Sequence, residues 1–408
     1  EIEPATLHDL FAKEVAERTP RDNFFHCLVN AAHQFHIHEK NGDRYILAGY
    51  PWFKCRARDM FIALPGLTLS INERDYFELV METAMRGLQE FMAGQPLSVK
   101  IAEIEQPDVM LWAVWCIQQY AKDAGLKACQ SRYGELLHAI LSFIESGHHP
   151  HLTLKENGLV YTEGHEKPMT WMNSMADGHP IVPRSGYIVE FNALWYNALK
   201  FSAEMAAFMH NEAEEKRLDN LAMRCQQAFV SCFVNEYGYL FDYVDEGPQD
   251  WSVRPNMIFA IALDYSPLNQ QQKKSVLDVC TRELLTPKGL RTLSPKSNGY
   301  TPLYTGPQRQ RDYAYHQGTA WPWLGGFYME ACLKLYKRTR LSFIERQMVG
   351  YEDEMTHHCL GTIPELFDGN PPFKGKAAIS FAMNVAEILR TLAQLDHYHF
   401  TSDTEGKA

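Results

Sequence analysis

Val109-Met110-Leu111-Trp112-Ala113-Val114-Trp115-Cys116-Ile117-Gln118-Gln119-Tyr120 reads as a helix with almost no polar face, because Leu111, Trp112, Val114, Trp115, Ile117 and Tyr120 spread over nearly every side of it. A helix that is hydrophobic all round is buried all round, so further helices must lie both inside and outside it. The rest of the chain supplies them. Phe381, Val385, Ile388, Leu389, Leu392 and Leu395 form an apolar stripe at helical spacing. Asn211 followed by Glu214 predicts a capped helix running towards Phe233. Ser266 with Pro267 predicts another start, for a helix reaching about Leu284. Glu212, Glu214, Glu215, Lys216 and Arg217 predict a solvated helix face. Strand signals are sparse, with short alternating runs at Leu159–Tyr161 and Tyr239–Val244 that suit loop hairpins. Two helical layers without a βα alternation point to an all-α fold, a toroid of inner and outer helices. A helical solenoid is the competing architecture, and no fixed sequence period supports it.

Bulk properties narrow the function classes. By length alone 408 residues suggest more than one domain, yet no Gly/Ser linker, charge block or low-complexity run divides them, so residues 1–408 are expected to form one unit. Hydrophobic content of 46% and charged content of 22% fit a well-packed globular chain. A net charge of −11, with acidic and basic residues interspersed, argues against a nucleic-acid partner. No apolar stretch approaches the ~18 residues of a membrane span and no signal peptide opens the chain, so no membrane partner is expected. Nine scattered cysteines without a CxxC pair suit a reduced, cytoplasmic setting better than a disulfide framework. The first residue is Glu1 rather than Met, and the expectation is a trimmed C-terminal part of a longer protein.

In a toroid the loops at one end of the inner helices meet over a central depression. Six segments have the composition for it: Gly49–Gly66, Glu105–Trp112, Thr170–Tyr196, Ser252–Asn256, Arg311–Trp323 and Thr362–Phe373. Each mixes aromatic rings with charged or amide side chains. A ring covers the apolar C–H face of a sugar while charged groups bind its hydroxyls. A single Trp or Tyr more often fills a core, but charges recurring beside rings in six loops exceed what core packing needs. Trp171, Trp321 and Trp323 are the best stacking platforms. His33, His36 and His38, and His148, His149 and His151, lack a Cys or acid at recognised metal-ligand spacing, so no metal is expected. No phosphate-cradling glycine loop or Ser–His–Asp signature appears, and no cofactor is implied.

Four stretches carry a resemblance. Gly49-Tyr50-Pro51-Trp52-Phe53 with Arg58-Asp59 and Ala63-Leu64-Pro65-Gly66 is the first. Thr170-Trp171-Met172-Asn173, Pro183-Arg184 and Glu190-Phe191-Asn192-Ala193-Leu194-Trp195-Tyr196-Asn197 form the second. Leu285–Arg291, Arg311-Asp312, Tyr315-His316-Gln317-Gly318-Thr319 and Trp321-Pro322-Trp323 form the third, and Thr362–Gly369 the fourth. In this order, from about Gly49 to Arg390, they resemble glycogen debranching enzymes in their amylo-α-1,6-glucosidase domain. The resemblance implies an (α/α)6 barrel of the six-hairpin glycosidase type, and inverting hydrolysis of α-1,6-linked glucose at branch stubs of glycogen or a limit dextrin. Inversion needs two carboxyls roughly 6.5–9.5 Å apart, one protonating the departing oxygen and one activating water. Glu365 matches the family's general base. Asp59, beside Arg58, resembles an acidic pair that grips the terminal glucose, with Arg58 holding it or adding a contact. Trp52, Asp108, Trp171, Arg184, Glu190, Asp312, His316, Gln317 and Trp321 are the further expected substrate contacts. The glucanotransferase activity beside this domain in eukaryotic debranching enzymes has no counterpart in these residues.

Two positions depart from the family. Arg56 and Ala57 stand where Trp and Gly are usual. Asn173 stands where the general acid, an Asp, is expected. An amide has no titratable proton near neutral pH, and losing acid assistance typically costs on the order of 10²–10⁴ in rate. Three readings stay open from the sequence: a nearby carboxylate such as Asp177 or Glu190 supplies the proton; the chain is a glucan-binding pseudoenzyme; or the leaving group and geometry tolerate a weaker catalyst.

Overall fold

The computed structural model describes residues 3–400. Its α-helices are α1 (Pro4–Glu17), α2 (Phe24–Gln34), α3 (Ala57–Leu67), α4 (Arg74–Met92), α5 (Val109–Ala124), α6 (Leu126–Glu145), α7 (Val189–Phe208), α8 (Glu212–Phe233), α9 (Phe259–Ala262), α10 (Gln270–Glu283), α11 (Gln308–Ala314), α12 (Pro322–Tyr336), α13 (Leu341–Glu352) and α14 (Ala382–Phe400). Helices α3, α5, α7, α9, α12 and α14 pack each against the next, and α14 packs back on α3. That closes an inner ring of six, with α9 extended at its start by a 3-10 turn, Pro255–Ile258. A solenoid stays open at its ends, so the closed ring decides for the (α/α)6 barrel.

The burial pattern explains the two layers. Every residue of α5 from Val109 to Ala121 is buried, as the all-apolar run requires, and α12 is buried from Pro322 to Leu333. Outer helices bury one side only. In α4, Phe77, Val80, Met81, Ala84 and Leu88 face inward while Glu82 and Arg86 face solvent. Phe381, Val385, Ile388, Leu389 and Leu395 are buried along α14, with Leu392 packed at the edge of the same core. The Asn211 side chain accepts the Glu214 N–H at the start of α8, as its position predicts. Ser266 does not start α10. Asn269 caps that helix in a reciprocal pair with Gln272, both bonds 2.9 Å, while the Ser266 hydroxyl donates back to the Ala260 carbonyl. A side chain that can accept the third amide and be matched by a glutamine outcompetes a Ser-Pro signal three residues earlier.

Where α3 crosses α14, Gly66 removes the need for a side chain: a β-carbon there would stand 2.1 Å from the Ala386 carbonyl oxygen. Gly66→Ala is therefore expected to push the first and last ring helices apart and cost about 1–3 kcal/mol, read as a lower midpoint in urea unfolding. Deeper in the ring, Arg390 of α14 bonds Glu387 and, at 2.6 Å, Glu330 of α12. Its guanidinium lies 4.9 Å from the Phe327 ring centre and 5.5 Å from that of Trp115.

Strands are short and sit among the loops. Val160–Tyr161 pairs antiparallel with Thr153–Leu154, as a loop hairpin, and Tyr243–Val244 both bridges back to Gln249 close by in the chain and pairs with Tyr187–Ile188. A five-stranded antiparallel ribbon that no alternation predicts joins Leu285–Thr286, Gly289–Arg291, Ala320–Trp321, Leu366–Phe367 and Gly375–Lys376 in that order. Its strands are two or three residues long, too short for a period-two pattern to register. All nine cysteines are free thiols, and no helix of the described residues is long and apolar enough to cross a membrane.

Candidate functional site

The segments that enter the inner helices converge at one end of the ring. Asp59 lies in the first turn of α3, Asp108 directly precedes α5, and Glu190 lies in the first turn of α7. Asn256 sits in the turn before α9, and Trp321 directly precedes α12. Helix N-termini carry partial positive charge from unpaired N–H groups, so this end of a ring of helices is suited to carboxylates.

Glu365 is fixed at the centre of this end. Its segment leads into the ribbon strand Leu366–Phe367, and Ala320–Phe367 pairing brings it beside Trp321. The Glu365 N–H donates to the Ala378 carbonyl and the Ala378 N–H returns a bond to Oε2, both 2.9 Å. Tyr315 donates its phenol to Oε1. From below, the Asn384 amide donates to the carbonyls of Pro364 and Glu365 at 2.7 Å each, and its own oxygen accepts from the Trp323 N–H. Burial pushes the Glu365 carboxyl up to about 8, with the Ala378 N–H and nearby Arg56 pulling it down and Asp59 adding to the rise.

The floor is aromatic. Trp171 meets His316, Trp321 and Trp323 edge to face at 5.1–5.5 Å, and its indole N–H donates to Asn256 at 2.7 Å. His316 stacks on Trp321, and neither of its nitrogens has a hydrogen-bond partner among the described residues. Burial, with Arg254 and Arg184 nearby, holds that imidazole far below its ordinary value, so it stays neutral. Gln317 accepts from Arg254 at 2.7 Å. Trp52 stands at the rim, 60% exposed, two residues beyond the strand Gly49–Tyr50 that pairs with Ser380–Phe381.

Several expected contacts have other partners. Asp59 is held by Arg56 at 2.8 Å, while Arg58 forms a fork with both oxygens of Asp108 at 2.7 and 2.8 Å. Asp108 also accepts the Trp112 indole N–H, so its oxygens are occupied within the protein. Arg184, fully enclosed, bonds both oxygens of Glu190 and both of Asp242. Asp242 in turn accepts from Asn256 at 2.7 Å, so this triad props the residue that holds Trp171.

Asn173 is half-buried, and its amide bonds no described residue. Its neighbour Ser174 donates to the Asp312 carbonyl at 2.7 Å. The two carboxylates that the sequence offered in its place are both engaged: Glu190 by Arg184, and Asp177, on an exposed hairpin tip, by Arg309 at 2.8 Å. Sequence reasoning missed Tyr315 and Asn384, which hold Glu365, and Glu103, a half-buried carboxylate beside Arg56 and Arg58. Glu103 has a signal in its backbone, a φ of 60° that non-glycine residues seldom adopt. The histidine groups lie apart: His33 bonds Glu73 and His36 stacks on Tyr76 in an outer cavity of about 460 Å³, while His149 packs between Phe91 and Phe143.

Comparison with known proteins bears on this arrangement. The sequence pattern of a family described as amylo-alpha-1,6-glucosidase matches residues 29–390. A glycogen debranching enzyme of Saccharomyces cerevisiae is 27% identical over 43% of this chain, an alignment that spans 14% of that enzyme's length. Among solved structures, an uncharacterised conserved protein of Thermus thermophilus superposes with a TM-score of 0.62 at 13% identity, over 90% of this chain and 99% of that one. A protein named sialidase superposes at 0.64 with 14% identity, over 90% of this chain and 33% of that one. At such identities these two share the fold.

Proposed function

Because the chain belongs to the amylo-alpha-1,6-glucosidase family, we propose that this end of the barrel binds the non-reducing end of a branched α-glucan and hydrolyses its α-1,6-linked glucose stub with inversion. The observation that carries the proposal is the Glu365 carboxyl, fixed between the Tyr315 phenol and the Ala378 N–H on the aromatic side of the site. A carboxylate that accepts one bond on each oxygen is fixed in orientation and keeps a further lone pair on each to take a proton from water. Asp59, clamped by Arg56, is suited to accept sugar hydroxyls, and Trp52 at the rim to cover a pyranose face. Trp171 and Trp321 are buried against each other and brace that side of the site.

Glu365 acts as a base only when ionised. Burial pushes its carboxyl up to about 8, above the ordinary carboxylate range, so the active form is a minority at neutral pH. With α-glucosyl fluoride, whose fluoride departs without a proton from the enzyme, kcat/KM is therefore expected to rise as pH increases from 6 to about 8, and a profile flat or falling across that window would remove Glu365 from the role. The stereochemical test is the anomer first released from a branched dextrin: β-glucose, seen by NMR before mutarotation, supports inversion. Asn173 favours a second reading, glucan binding without turnover, because its amide carries no transferable proton. Dextrin bound with no glucose released would select it.

A further inference from the structure

The proposed hydrolysis needs a proton donor that Asn173 cannot be. We infer that Asp312 is the general acid of this chain, an assignment that rests on the hydrolytic reading of the site. Three observations converge on it. The Ser174 hydroxyl bonds the Asp312 backbone at 2.7 Å, so the residue sits against the very segment where the family's acid belongs. Asp312, Gln308 and Tyr315 recur at helical spacing along α11 and its cap, on one face of the turn. On that face the Tyr315 phenol reaches Glu365, while Gln308 bonds one Asp312 oxygen at 2.7 Å. The other Asp312 oxygen bonds no described residue.

Asp312 also stands three residues before the tyrosine that bonds Glu365. Residues three apart on a helix have β-carbons about 5–6 Å apart, and the tyrosine ring then spans the remaining gap to Glu365. Tyr304, whose ring centre is 5.9 Å from that of Tyr315, lies within electrostatic reach of both Glu365 and Asp312, which places the two acids around one small space. Among the other carboxylates of this end, Asp108, Glu190 and Asp242 are bonded on both oxygens by arginines, Asp368 is held by the Tyr304 N–H and Lys376, and Asp59 is paired with the cation of Arg56. Glu103 faces Arg56 and Arg58, on the Asp59 side.

The step balances without a co-reactant. The Asp312 carboxyl gives its proton to the glycosidic oxygen as the C1–O bond breaks. Water forms the new C1–O bond from the opposite face and passes its proton to Glu365. The product leaves Asp312 ionised and Glu365 protonated, and exchange with solvent resets both.

The test compares a branched dextrin with α-glucosyl fluoride, whose leaving group departs without protonation. Asp312→Asn is expected to lower glucose release from the dextrin by about 10²–10⁴-fold, to keep the fluoride rate within a few-fold, and to leave dextrin binding intact. Adding Asn173→Asp to Asp312→Asn is expected to restore dextrin cleavage. An equal loss on both substrates marks Asp312 as merely structural, and an unchanged dextrin rate, or the selective loss appearing in Glu103→Gln instead, also overturns the assignment. Those results leave the hydrolytic reading standing, whereas an unmodified chain silent on both substrates overturns the two together.

Discussion

Glu365→Gln is expected to lower glucose release from a branched dextrin by about 10²–10⁴-fold while dextrin binding changes little. The substitution suits the question because glutamine keeps the shape of the site. Its amide oxygen can accept the Ala378 N–H, and its NH2 can donate to a Tyr315 hydroxyl turned to accept. The ribbon, the Asn384 clamp and the aromatic floor then stay in place, and what disappears is a lone pair able to take a proton from water. Initial rates beside equilibrium dextrin binding separate the two effects. Turnover within about threefold of the parent chain would show that some other group activates the water, and a parallel loss of binding would make Glu365 a sugar contact instead.

The second large effect concerns stability. Arg184→Met is expected to cost about 3–5 kcal/mol, because it leaves Glu190 and Asp242 facing each other, deeply enclosed, with no cation between them. The damage extends to the site, since Asp242 positions Asn256 and Asn256 holds the Trp171 indole. Urea unfolding at neutral pH reads the loss. Combining Arg184→Met with Glu190→Gln and Asp242→Asn is expected to recover much of it, because the cost comes from uncompensated charge rather than from the missing side chain. A stable Arg184→Met protein with only a weakened apparent affinity for dextrin would instead make Arg184 a substrate residue, as the sequence suggested.

The ring was legible in the sequence because its signal is long: α5 is apolar on nearly every side and buried over thirteen residues, which demands two helical layers. The site was legible as a set of loops but not as a set of bonds. Asp59 shows why. Its chain neighbour Arg58 seemed the natural partner, yet adjacent residues on a helix point about a quarter-turn apart, whereas residues three apart share a face. Arg56 therefore takes Asp59, and Arg58 turns to Asp108 at the start of the neighbouring ring helix α5. Asn384 and Tyr315 were invisible for a different reason. Their bonds to Glu365 depend on the pairing of strands two residues long, brought together by helices far apart in the chain.

Closure of the ring by α3 and α14 has a consequence for biosynthesis. Nearly the whole described chain separates those two helices, so the apolar flank of α3 that α14 covers stays wet until the ribosome has released the final wall. Contacts so remote in sequence form late and slowly. A nascent chain stalled before Ala382 would carry an uncovered seam, open to aggregation or to capture by a chaperone.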